Sequence, residues 1–360
     1  MNPLRALHHA GQSIWLDFLR RSLITDGGLA RLIREDGVTG VTSNPTIFAK
    51  AIGGSSDYDE SISRIAAQGR KSPLDVFYEL ALADVRMAAD LFRPVYEQTA
   101  RTDGFVSFEL EASLAHDAKH SIAAAHELVE RIDRPNVMIK VPGTDESVQV
   151  VEELTAAGIN VNITLLFSVE RYEEVALAYL AGLERRLAAG DPLDRVASVA
   201  SFFVSRIDTV VDALLPDGSP LRGRVAIANA KQAYQQFLRL FSGERWARLV
   251  EAGARVQRPL WASTGTKNPA YSDVLYVEEL VGPDTVTTMP EATLEAFRAH
   301  GRVRPGAVRQ GIDEADATLS LLVDHGIALE TITAQLLNDG LAAFDADLAK
   351  VTNIIETKLG

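Results

Sequence analysis

The segment Arg134–Thr144, RPNVMIKVPGT, puts an ammonium group where a strand should be apolar. Asn136–Val141 predicts a short buried strand, and Pro142-Gly143 ends it. Lys140 lies at the end of that strand, between Ile139 and Val141. An amine that loses its hydration is pushed toward the neutral form. A neutral lysine amine is a nucleophile that forms a Schiff base with a ketone. Carboxylates beside it would move the protons of that chemistry, and would also pull the amine back toward its charged form. Asp17 in SIWLDF and Glu109 in VSFELE are placed for this, with Glu111 two residues further on. Asn162 and Thr164 in NVNITLL add an amide and a hydroxyl.

These side chains meet only if strands from distant parts of the chain stand together. Short apolar runs at Ser13–Phe18, Gly37–Ser43, Gly104–Glu111, Asn136–Val141, Ile159–Leu165, Val196–Val204, Arg258–Ser263 and Asp284–Met289 read as strands. Helical stretches separate them, among them DESVQVVEELTAAG, which follows Thr144 and stops at Gly158. This alternation predicts a parallel sheet, and eight strands without a break in composition predict a closed (β/α)8 TIM barrel. The whole of residues 1–360 reads as one barrel domain with additional helices. ADATLSLLVDHG reads as the last barrel helix, and the C-terminal run as a helical extension packed outside.

Side chains alternate along a strand, so each strand has two faces. Val106, Phe108 and Leu110 oppose Ser107, Glu109 and Glu111; Val137, Ile139 and Val141 oppose Met138 and Lys140. Val161, Ile163 and Leu165 oppose Asn160, Asn162 and Thr164, while Ile14, Leu16 and Phe18 oppose Trp15 and Asp17. The apolar faces suit packing on helices. The polar faces suit a barrel interior, at the C-terminal mouth where such barrels do their chemistry. Any one of these residues alone would pass for a rim group in a solvated ion pair; four strands doing it together point to a site.

Composition narrows the partners. The 360 residues are 47% hydrophobic and 24% charged, with a net charge of −13. That charge disfavours nucleic acid and anionic membrane, so an anionic substrate needs a local cluster of cations. The absence of cysteine excludes disulfides and thiolate metal sites, and fits a cytoplasmic location. The N-terminal MNPLRALHHAGQS lacks the apolar core of a signal peptide, and no run approaches a membrane span.

Seven stretches together resemble the transaldolase family: GVTGVTSNPTIF, VSFELEAS, NVMIKVPGT, GINVNITLLFS, SFFVSRID, WASTGTKNPAYSD and TVTTMPEATLEAF. They fall in the family's order along nearly all the predicted strands. The resemblance implies a (β/α)8 barrel that uses a Schiff-base lysine and no metal or organic cofactor. It implies transfer of a dihydroxyacetone unit between sugar phosphates in the non-oxidative pentose phosphate pathway. Lys140 matches the Schiff-base lysine, and Asp17 the acid/base at the C4 hydroxyl. Glu109 matches the carboxylate that acts through a water, with Thr164, in carbinolamine formation and dehydration. Asn44 and Asn162 match amides that hold the dihydroxyacetone hydroxyls, with Ser201 at the same place. Arg206 and Ser263 match phosphate-binding positions. One motif departs from the family's better-known branch, which has an arginine shortly after the serine of WASTGTKNP. Lys267 is the nearest cation here and takes the phosphate role, as a point charge rather than a bidentate fork. Phe203 shares a face with Ser201 and is expected to line the same site. Sugar phosphates are the expected partners, and the expected assembly is a monomer or homodimer. A related aldolase that releases free dihydroxyacetone, or a silent sugar-phosphate-binding barrel, are the competing readings.

Two other features carry little. His116 and His120 in HDAKH have helical metal-pair spacing but no glutamate after the first histidine, and read as a solvated face. The glycines of GVTGVTSNP do not fit a nucleotide-binding fingerprint, and are expected to relieve crowding in the barrel.

Overall fold

The computed structural model describes residues 2–69 and 71–359. Among these residues eight parallel strands close into a barrel in chain order: β1 (Gln12–Leu16), β2 (Gly40–Thr42), β3 (Phe105–Glu109), β4 (Val137–Pro142), β5 (Val161–Leu166), β6 (Ser198–Phe203), β7 (Gln257–Ala262) and β8 (Thr285–Met289). The seam is closed by β1 on β8, in register from Gln12↔Thr285 to Leu16↔Met289. All eight predicted strands are present, most of them shorter than expected by a few residues. Asp17 and Glu111 fall just beyond their strands.

The division into two faces explains the packing. Val106, Phe108, Val137, Ile139, Val141, Val161 and Ile163 are all buried. The other face closes the N-terminal end of the barrel with a large ring. Trp15 lies 6.2 Å from Phe105, ring to ring, and its Nε1 donates to Asp103 Oδ1 at 2.8 Å. Its register partner is Gly40, where a Cβ would come within 2.6 Å of the indole. The missing side chain of Gly40 makes room for Trp15, as the glycine-rich segment predicts.

One expectation about the C-terminal part needs correcting. The helix that follows β8 and packs on it is Glu291–His300; Ile312–Asp324, which contains ADATLSLLVD, lies instead on the Val225–Leu240 helix. The expected C-terminal extension is the 31-residue helix Leu329–Leu359, which lies outside the barrel and crosses its C-terminal mouth. It buries Thr333, Leu336, Gly340, Phe344, Val351 and Ile355, a stripe at spacings of three, four and seven residues. Gly340 allows the close approach: a Cβ there would lie 2.8 Å from Leu165. Leu165 has φ of 56° at a break in the β5–β6 register, a bulge that turns it under this helix. Asp347 accepts a hydrogen bond from Thr46 on the Pro45–Gly53 helix, fastening the strap across the opening. Among the described residues no helix is long and apolar enough to cross a membrane.

Candidate active site

At the C-terminal mouth lies a cavity of about 360 Å³. Asp17, Asn44, Lys140, Thr164, Ser201, Phe203, Arg206, Ser263 and Lys267 all line it, so nine of the eleven predicted side chains converge on one space. The other two stand against it. Glu109 is the ion-pair partner of Lys140, and Asn162 lies beneath Ser201.

Lys140 is held by its neighbours. Its Nζ donates to Glu109 Oε2 at 2.9 Å and to the carbonyl of Ser43 at 3.2 Å. The contact follows from register, because Glu109 and Lys140 are direct partners on β3 and β4. Both side chains are 5% exposed. A buried ion pair is weak evidence of stabilisation, since desolvation offsets much of its Coulomb attraction. Its position at the floor of a cavity suits chemistry better.

The carboxylates are tuned by opposing effects. Burial pushes the Glu109 carboxyl above its ordinary range and Asp17 adds to the rise, while Lys140 and Arg206 oppose it. Burial also pushes Asp17 up, opposed by Lys140, by the hydroxyl of Thr42 and by Arg206 and Lys267. Thr42 Oγ1 donates to Asp17 Oδ1 at 3.2 Å. A carboxylate displaced upward is a stronger base, which suits groups that must take protons near neutrality.

A layer of amides and hydroxyls supports the lysine. Asn162 is fully buried; its Nδ2 donates to Ser107 at 3.0 Å and its Oδ1 accepts from Ser201 at 2.6 Å. Asn44 caps the Pro45–Gly53 helix by accepting from the Ile47 N–H at 2.9 Å, with its amide group at the cavity. Thr164 Oγ1 is buried without a hydrogen-bond partner among the described residues and lines the cavity. An orphaned hydroxyl at this depth is costly unless a bound molecule completes it.

The outer wall is cationic. Arg206 lies in the first turn of the Ser205–Leu214 helix, its guanidinium 5.0 Å from the Phe203 ring centroid. Burial lowers its pKa, while Asp17 and Glu109 oppose the shift. Ser263 follows β7 in a left-handed conformation, and its hydroxyl meets that of Ser205 at 2.9 Å. Lys50, which sequence reasoning missed, also lines the cavity. It shares a helix face with Thr46 and Ile47, at spacings of four and three residues that the sequence displayed. Phe344 from the C-terminal helix is a second addition. Four cations (Lys50, Lys140, Arg206 and Lys267) thus meet two carboxylates in a chain whose net charge is −13.

Glu111 departs from expectation. Past the end of β3 it turns away from the lysine and accepts from Tyr78 Oη at 2.7 Å. His116 lies outside the Ala118–Ile132 helix, and both histidines are exposed, on Glu146 and Asp117 respectively. Among the described residues no three histidine or acidic side chains form a group that could hold a metal ion.

A closed parallel barrel with a charged, concave C-terminal mouth is the architecture of the (β/α)8-barrel enzymes. The family described as Transaldolase/Fructose-6-phosphate aldolase matches residues 14–355. "Transaldolase 1" of Streptomyces avermitilis is 46% identical over 361 residues, covering 99% of this chain and 95% of that protein. "Transaldolase" of Saccharopolyspora erythraea is 47% identical, with 99% and 97% covered, and "Transaldolase 2" of Nostoc punctiforme 44%, with 99% and 98%. The chain belongs to the transaldolase/fructose-6-phosphate aldolase family.

Proposed function

We propose that this chain is a transaldolase, moving a dihydroxyacetone unit between sugar phosphates through a Schiff base on Lys140. The observation that carries the reading is the Lys140–Glu109 pair, at the floor of a cavity whose outer wall is cationic. The non-oxidative pentose phosphate pathway is the setting of the reaction.

The ketone C2 of a ketose phosphate approaches Lys140. Glu109 takes a proton from Nζ, the amine adds to C2, and a proton passes from the new ammonium nitrogen to the former ketone oxygen to give a carbinolamine. The same carboxyl group returns the proton to the departing hydroxyl, with Thr164 ordering the water that leaves. The iminium that remains is the electron sink. Asp17, held by Thr42, takes the C4 hydroxyl proton, and the electrons of the C3–C4 bond flow into the iminium. An aldose phosphate departs and an enamine stays on Lys140. Addition of the enamine to an acceptor aldehyde, with Asp17 returning its proton, reverses these steps and forms a new ketose. Asn44 and Ser201 hold the dihydroxyacetone hydroxyls, with Asn162 setting Ser201 from below. Arg206 and Lys267, with Ser263, hold the phosphate at the outer wall.

The family's name covers a second activity, cleavage with release of free dihydroxyacetone. Phe203 favours transfer. Its ring lines the cavity on the Arg206 side and offers no hydroxyl to order a water that could protonate the enamine. The test is an assay of fructose 6-phosphate with and without erythrose 4-phosphate. A transaldolase forms sedoheptulose 7-phosphate only with the acceptor and releases little free dihydroxyacetone without it. Comparable cleavage in both arms would overturn the reading in favour of an aldolase.

A further inference from the structure

We infer that Asp208 and Asp212 are positioning residues that lock the two phosphate-binding cations, Arg206 and Lys267, at a fixed separation. The inference rests on the proposed phosphate role of those cations.

Arg206 and Lys267 come from different segments. Arg206 is the second residue of the Ser205–Leu214 helix, while Lys267 lies in the segment that leaves β7 and runs to the Leu275–Glu279 helix. Two long cationic side chains bind a phosphate well only if their backbones keep one geometry.

Asp208 and Asp212 stand one turn apart on the Arg206 helix, on one face. Asp208 is 1% exposed; its Oδ2 accepts from Tyr276 Oη at 2.9 Å and its Oδ1 from the Ala226 N–H at 2.8 Å. Asp212 repeats the pattern, accepting from Tyr271 Oη at 2.6 Å and the Gly223 N–H at 3.0 Å. Tyr271 lies in the segment that carries Lys267, and Tyr276 in the helix that this segment leads into. Tyr271 closes a turn whose N–H donates to the Asn268 carbonyl at 3.1 Å, and that turn starts at the residue after Lys267. A second link, Ser205 to Ser263 at 2.9 Å, joins the same two segments at the cavity edge.

The choice of side chain is informative. Among the described residues the partners of the two aspartates are two tyrosine hydroxyls and two backbone N–H groups, with no cation. Asp208 is buried and Asp212 only half-buried; a buried carboxylate without a cation is expensive, so packing alone does not call for Asp208. Each one uses both oxygens as acceptors, a pattern that asparagine cannot supply because its amide nitrogen only donates. The hydrogen-bond pattern therefore requires the costly residue, as expected where geometry matters more than stability.

The experiment uses Tyr271→Phe, Tyr276→Phe and the double variant, which remove single hydroxyls and keep the rings. The readout is the ratio of kcat/KM for a phosphorylated acceptor, glyceraldehyde 3-phosphate, to that for glyceraldehyde. Arg206→Gln is the control for the phosphate site, and borohydride trapping of a dihydroxyacetone adduct checks that the lysine site is intact. The double variant should lose about tenfold in this ratio, mainly through KM, the scale of one weakened charge-assisted contact. Trapping should stay within about twofold of wild type, ordinary variation for a remote change. If Arg206→Gln lowers the ratio and the double variant does not, the lock is overturned while the phosphate assignment stands. Equal losses for both acceptors mean a merely structural role and overturn it too. A flat ratio in Arg206→Gln removes the phosphate assignment itself, and the lock with it.

Discussion

Glu109 and Lys140 are register partners on neighbouring strands, with carboxylate oxygen and amine nitrogen 2.9 Å apart at the floor of the mouth. Asp17 reaches the same cavity from the other side, hydrogen-bonded to Thr42 and not to the lysine. Two carboxylates with different partners imply two different steps.

Glu109→Gln removes the base nearest the amine, so adduct formation should slow by roughly a hundredfold or more. Asp17→Asn should still be trapped by borohydride with fructose 6-phosphate, while cleavage falls by a similar factor of roughly a hundred. Trapping yield and aldose release, measured side by side, check this. Parallel loss of both in Asp17→Asn would contradict the division of labour.

The Phe203 ring lines the cavity, 5.0 Å from the Arg206 guanidinium, so a hydroxyl added to it would place a water-ordering group at the site. Phe203→Tyr should raise acceptor-independent release of dihydroxyacetone at the expense of transfer. The quantity to follow is the ratio of the two rates. A flat ratio in a folded variant would make Phe203 ordinary packing.

The carboxylates also fix a pH response. Burial raises both, and Arg206 is one of the charges that holds them down. Arg206→Gln removes that cation, so both pKa values should rise further. Acid inactivation should therefore set in at higher pH than in wild type. The check is the pH profile of kcat at saturating substrate, which keeps weakened binding out of the reading. An acid limb that stays in place or moves down would separate Arg206 from the two carboxylates.

Packing at the other end of the barrel gives a stability test. Gly40→Ala drives a methyl group to 2.6 Å from the Trp15 ring. It should cost about 1–3 kcal/mol in urea unfolding, the range for overpacked cores. Trp15→Phe in the same chain should recover part of that loss. Additive losses in the double variant would mean that the two positions do not compete for space.

The barrel was legible because its strands are short, apolar on one face and separated by helical stretches. The site was legible because Asp17, Glu109, Lys140 and Thr164 break the apolar pattern on the inward face. What stayed hidden depended on long-range packing. The C-terminal run reads as a helical extension packed outside, and nothing local says that Gly340 lets it lie against Leu165 across the mouth. The outward turn of Glu111 follows from where β3 stops and from Tyr78, a residue far away in sequence. Strict alternation carried Glu111 inward on paper, but alternation ends where the strand does. Lys50 stayed hidden for a different reason: its face is set by a helix of period 3.6 and not by strand alternation.

The most direct measurement is borohydride reduction in the presence of fructose 6-phosphate, followed by peptide mass mapping. One adduct should appear, on the peptide that contains Lys140, and it should vanish in Lys140→Arg along with turnover. An adduct on another lysine, or substantial turnover in Lys140→Arg, would contradict the account at its centre.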